Sequence, residues 1–131
     1  IAPSGWPLHA IEHALSAYYD ITHGLGLAIL MPRWMKKVLN VKTLPRFVKL
    51  GVNVLDIDAS LPEMEIAKKS IDMMYEFFES IGIPMHLSEV GIPDGSRIPE
   101  MAHHVATTQP LTDAWAPLTE SDIAEIIELS M

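Results

Sequence analysis

The chain has 131 residues and a formal net charge of −8, from 17 Asp and Glu against 9 Lys and Arg. That length can build a core of its own, and the acidic balance argues against nucleic acid and anionic membranes, which reward clustered Lys and Arg. The absence of cysteine excludes disulfides, thiolate metal sites and a cysteine nucleophile, and it suits a reducing cytoplasm.

The longest apolar run, residues 25–31 broken only by Gly26, is too short to span a bilayer. No charged-then-apolar leader opens the chain. It begins at Ile1 rather than Met, and it reads as a piece of a longer protein.

The pattern is helical almost throughout. Over residues 6–19, Leu8, Ile11, Leu15 and Tyr18 recur at three- and four-residue spacing, with Pro7 suited to a first turn. Asp20-Ile21-Thr22 reads as a short connection. Thr22 is placed to cap a second helix over residues 23–40, which is apolar on most sides and carries Pro32 as an expected kink. Arg33, Lys36 and Lys37, the one basic cluster, read as a solvated helix face. Thr43 is placed to cap a third helix over residues 44–55. Residues 53–57 have strand character, but nothing in the sequence offers them a partner. Ser60 and Glu63 have capping-box spacing ahead of a helix over residues 61–81, whose apolar face is Ile66, Met73, Met74, Phe77, Phe78 and Ile81. Gly82 and Pro84 stop it. Residues 82–95 read as loop with one turn near His86, residues 96–107 as a short helix, and residues 108–118 as loop. Thr119 then caps a last acidic helix.

The chemistry concentrates at residues 6–32. His9 and His13 lie four apart on one helix and project from the same face. His23 opens the next helix after a turn able to fold it back. Three imidazoles can then converge, and imidazole ligates iron, zinc, copper and nickel. On spacing alone, His9 and His13 form the candidate ligand pair, against partly buried histidines with satisfied hydrogen bonds. Glu12 is either a partner that orients an imidazole or half of a surface or inter-domain ion pair. Asp20 reads as a capping or loop residue. His103 and His104 are adjacent, so they diverge on a helix and read as surface residues, and His86 reads as structural or exposed. The 8 methionines read as core filler, Trp34 and Trp115 as packing residues, and Trp6 as a wall beside His9. Gly24 and Gly26 read as allowing close helix packing.

The run His9-x-x-x-His13-x-Leu15-Ser16-Ala17, then His23-Gly24-x-Gly26-Leu27-Ala28 and Pro32, resembles the histidine signature of the iron-containing alcohol dehydrogenases. Trp6, Glu12-His13 and Tyr19-Asp20-Ile21-Thr22-His23 are similar to the branch of butanol dehydrogenases and NAD(P)H-dependent aldehyde reductases. Pro32-x-Trp34-Met35, Gly82-Ile83-Pro84 and Leu87-Ser88-Glu89-x-Gly91-Ile92 extend the resemblance over most of the chain. It is specific over residues 6–35 and looser beyond Ser96, and residues 106–117 match little.

The resemblance implies an all-α, bundle-like C-terminal domain of the two-domain architecture shared with dehydroquinate synthase. Residues 1–131 would form that helical domain, facing an upstream nucleotide-binding domain across a cleft. In the family one Asp and three His hold the metal. Two of those His match His9 and His23, so the resemblance replaces the pair that spacing suggests. His13 matches a histidine that faces substrate and nicotinamide, a catalytic and cofactor-contacting position. The implied cofactors are Fe2+ or Zn2+ and NAD(H) or NADP(H), with the nucleotide and the remaining metal ligands supplied from upstream. The implied reaction is hydride transfer between nicotinamide and a primary alcohol or aldehyde, in a cytoplasmic homodimer or larger assembly. The fragment alone is expected to hold metal weakly and not to turn over. A zinc-dependent polyol dehydrogenase and a non-catalytic helical metal-binding or interaction module are the competing expectations.

Overall fold

The computed structural model describes residues 6–131. The first five residues of the expected 1–131 unit lie outside the described residues. Among the described residues six α-helices follow in order: α1 (Pro7–Tyr19), α2 (His23–Val38), α3 (Leu44–Asn53), α4 (Glu63–Ser80), α5 (Ile98–Thr108) and α6 (Glu120–Glu128), with one 3-10 turn at Leu87–Val90 before α5. Among the described residues there is no strand. The segment with strand character instead closes α3, where the Val54 N–H donates to the Leu50 carbonyl at 3.1 Å and the Ile57 N–H to the Gly51 carbonyl at 3.0 Å.

The central element is α2, which packs against α1, α4 and α6, while α5 bridges α1 and α6. The core is built from Ile11 and Leu15 of α1, Ile29 and Leu30 of α2, Met101 of α5 and Ile123, Ile126 and Ile127 of α6, all fully buried. Burying such side chains contributes roughly 1.5–3 kcal/mol each relative to exposure. Leu87 and Ile92 join this core from the connecting loop, and the Leu87 N–H donates to the Ser130 carbonyl at 2.8 Å.

Some helix ends take their expected form and others do not. Asp20 ends α1 in the left-handed region (φ 54°) and donates its N–H to the Ser16 carbonyl at 2.9 Å. Thr22 makes no side-chain cap on α2. Thr43 caps nothing ahead of it, because its hydroxyl turns back to the Val38 carbonyl at 2.7 Å and closes α2. The Ser60–Glu63 box does not form. The Ser60 N–H goes to Asp58 Oδ1 at 2.8 Å, and the N-cap position falls on Pro62, two residues beyond Ser60. Thr119 does cap α6, and its box closes with Asp122 at the third position. Helix α2 continues through Pro32 as one element.

The apolar face assigned to α4 is only partly buried. Ile66, Ala67, Ser70 and Ile71 are inside, but Met73, Phe77 and Ile81 are 37%, 53% and 57% exposed. Helix α3 has 10 residues against 18 for α4, and it covers only the N-terminal stretch. The basic cluster also divides. Arg33 is buried rather than solvated: its guanidinium donates to the carbonyls of Ile29 at 3.0 Å and Leu129 at 3.3 Å and lies 5.0 Å from the Tyr75 ring. Burial lowers its pKa from the usual arginine value. Lys37 instead bridges to Asp122 and Glu125 on α6.

Candidate metal centre

Helix α1 presents His9 and His13 one turn apart, and the Asp20–Thr22 connection turns the chain so that His23 begins α2 beside them. The ring centroids lie 5.3 Å apart for His9–His23, 5.1 Å for His13–His23 and 6.2 Å for His9–His13. Trp6 stands edge-on to His9 at 5.4 Å. His9 is half-buried, while His13 and His23 are exposed.

Beneath the rings sits Glu12, with no exposed surface at all. Its Oε1 accepts a hydrogen bond from the Ser16 hydroxyl, and its Oε2 meets Nδ1 of His23. The Ser16 hydroxyl also lies 3.0 Å from the Ile21 carbonyl. A buried carboxylate is costly without such partners, so the surface ion pair considered for Glu12 does not exist. The signal for this was its position. Glu12 falls four residues after Leu8 and three before Leu15, inside the apolar stripe of α1, where a charge demands a partner.

One set of groups, Glu12, His13 and His23, offers ligand atoms that all lie within 4.8 Å of one another. That set differs from the His9–His23 pair. Glu12 has both oxygens engaged, one by Ser16 and the other by His23 itself. With Nδ1 of His23 turned to Glu12, Nε2 is the nitrogen left for a metal. Imidazole nitrogens drawn from two helices, backed by a buried carboxylate, fit iron(II) or zinc as a donor set.

Beside His9 opens a groove of about 610 Å³, whose apolar walls include Trp6, Leu8, Trp34 and Trp115. Trp115, expected as a packing residue, is 44% exposed and lines this groove beside Trp34. Close packing explains Gly26, where an added β-carbon would lie 3.0 Å from Ile21 Cδ1 and closer still to Glu12, but not Gly24, which has open space. Asp20 only ends α1 and is absent from the metal-capable set. His86, His103 and His104 are all exposed and elsewhere, with His103 paired to Glu120 at 3.2 Å.

Residues 2–131 match the model of the Fe-containing alcohol dehydrogenase family, C-terminal part. The NADH-dependent butanol dehydrogenase A of Clostridium acetobutylicum is 43% identical over 125 residues, 95% of this chain and 32% of that protein. The NADPH-dependent aldehyde reductase YqhD of Escherichia coli is 30% identical over 99 residues, 76% of this chain and 25% of that protein. The crystal structure of NADH-dependent butanol dehydrogenase A from Thermotoga maritima superposes with a TM-score of 0.77 at 29% identity, covering 95% of this chain and 32% of that one. The chain thus spans about a third of the length of the first curated relatives it matches.

Proposed function

We propose that this chain, which belongs to the Fe-containing alcohol dehydrogenase family, is the helical metal-side domain of an enzyme that transfers hydride between NAD(P)(H) and a primary alcohol or short-chain aldehyde. The observation that carries this reading is the convergence of His9, His13 and His23 above a buried carboxylate.

In this reading His9 and His23 are the metal ligands contributed by the chain, and His13 faces the reacting carbon. His9 and His23 would hold Fe2+ or Zn2+, which would supply Lewis-acid chemistry towards a carbonyl or alcohol oxygen, and the redox chemistry would belong to the nicotinamide cofactor. In the same reading His13, exposed and 5.1 Å from His23 by ring centroid, holds or passes the alcohol proton. Trp6 and the apolar wall running to Trp115 border the His9 side and suit an alkyl chain. The rest of the whole protein supplies the nucleotide-binding domain and the other metal ligands. The similar proteins named for NADH-dependent and NADPH-dependent activity leave both nucleotides open to test. Among the described residues no helix is long and apolar enough to cross a membrane, and the family resemblance supports a homodimer or larger assembly.

The test is oxidation of NADH and of NADPH by the full-length protein with butyraldehyde, before and after chelation, beside glycerol oxidation with NAD+. Turnover of the aldehyde that is lost on chelation and restored by Fe2+ or Zn2+ is expected. Turnover of glycerol alone would move the assignment to a polyol dehydrogenase. No turnover with either substrate would leave a non-catalytic metal-binding module.

A further inference from the structure

Among the described residues Glu12 is the one carboxylate with no exposed surface. It is also the only acid on α1, and it reaches out of the core stripe towards the first residue of α2. Space is made for it. At Gly26 on α2, a β-carbon would stand 2.8 Å from Glu12 Cγ and 2.9 Å from Oε1. Its two oxygens are divided between two donors, Ser16 Oγ and His23 Nδ1. Ser16, one helical turn further on, thereby fixes the carboxylate from its other side.

Resting on the metal-centre reading above, we infer that Glu12 is the positioning residue for His23. Its carboxylate accepts the Nδ1–H, which fixes the neutral ring in the tautomer whose Nε2 lone pair is free for the metal, and it raises the donor strength of that nitrogen. Glu12 touches neither metal nor substrate. Ser16 and Gly26 hold it in place, one by a hydrogen bond and the other by its missing side chain. The alternative, in which Glu12 joins His13 and His23 as a direct ligand, requires it to leave Nδ1, and a different spectroscopic result would report it.

The experiment uses the full-length protein and Zn2+ as probe, competed against a chromophoric chelator, for wild type, Glu12→Ala, Glu12→Gln, His9→Ala and His23→Ala. Glu12→Ala is expected to weaken Zn2+ binding by about 10- to 100-fold, the usual size of such outer partners. Glu12→Gln keeps an acceptor on Nδ1 but not the charge, and it is expected to fall between Glu12→Ala and wild type. In the Co2+-loaded proteins the visible bands should keep their position and intensity in Glu12→Gln, because no ligand has changed. Zn2+ affinity at the wild-type level in folded Glu12→Ala would overturn the inference. Should that variant fail to fold, wild-type affinity in the near-isosteric Glu12→Gln would do the same. A Co2+ spectrum reporting a changed coordination number would overturn it in favour of direct ligation. If His9→Ala and His23→Ala also bind Zn2+ as wild type does, the metal reading itself fails. If they lose the metal while the Glu12 variants keep it, only the positioning role fails.

Discussion

Gly26 and Glu12 share one space between α1 and α2, and only the missing side chain of Gly26 lets the buried carboxylate lie against His23 Nδ1. Gly26→Ala is therefore predicted to destabilise the protein by about 1–3 kcal/mol, the usual cost of overpacking, and to weaken metal binding by displacing Glu12. Gly24→Ala, two residues earlier with open space around it, should be neutral or slightly stabilising, since it removes backbone freedom from the unfolded chain. Urea unfolding of the three full-length proteins checks this. Equal midpoints for Gly26→Ala and wild type would contradict it.

The α3–α4 contact supplies the matching control far from the histidines. A β-carbon on Gly51 would meet Ser70 Oγ at 2.5 Å and Ile66 Cγ2 at 2.6 Å, both on the buried face of α4. Gly51→Ala should cost a similar ~1–3 kcal/mol while leaving metal affinity at the wild-type value. A loss of metal binding in folded Gly51→Ala would show that affinity follows general stability rather than the local geometry at Glu12.

Arg33 ties α2 to the end of α6 through the Leu129 carbonyl and to α4 through the Tyr75 ring. Arg33→Lys retains a positive charge but loses the planar fork and the stacking. A loss of about 1.5–3 kcal/mol is predicted, the range for hydrogen bonds to a charged group. Thermal unfolding at matched protein concentration measures it, and a wild-type midpoint would contradict the account.

The acid limb of the stability curve should trace partly to Asp122. Burial works against its charge, but the Thr119 N–H and hydroxyl and the Lys37 ammonium outweigh it, so its pKa lies below the usual aspartate value. With a depressed folded pKa, its contribution is complete above the unfolded value, about 3.9, and fades as the pH falls through the lower folded value. Hydrogen bonds from Lys37 to Glu125 and Asp122 raise the lysine pKa. Its contribution is complete below about 10.4 and fades only as the pH rises through the higher folded value. Both are intact across neutrality. Asp122→Asn should flatten the loss of stability below about pH 4, and Thr119→Ala should cost about 1 kcal/mol at neutral pH through the lost cap. Urea midpoints between pH 2 and 7 test both.

How far the sequence could be read depended on which interactions were local. The helical stripes of α1 and α6, the Thr119 cap and the convergence of His9, His13 and His23 follow from spacing, because their partners lie within a few residues or across one short turn. The Ser60–Glu63 box failed because Asp58 competes for the Ser60 N–H and Pro62 takes the N-cap position. The uncovered Met73, Phe77 and Ile81 have helical periodicity indistinguishable from that of Ile66, and only the shortness of α3 leaves them outside. Arg33 looked solvated beside Lys36 and Lys37 because its partners, Tyr75 and Leu129, are distant in the chain. Glu12 was the most informative ambiguity. A glutamate beside a histidine is commonplace at a surface, and only its register with Leu8 and Leu15 marks it as buried.

The most direct test of the central claim is the metal content of the purified full-length protein, loaded with Fe2+ or Zn2+ and freed of excess, for wild type, His9→Ala and His23→Ala. The account predicts stoichiometric metal in the wild type and, in both variants, loss of the metal together with loss of aldehyde reduction. Stoichiometric metal and undiminished turnover in either variant would contradict it.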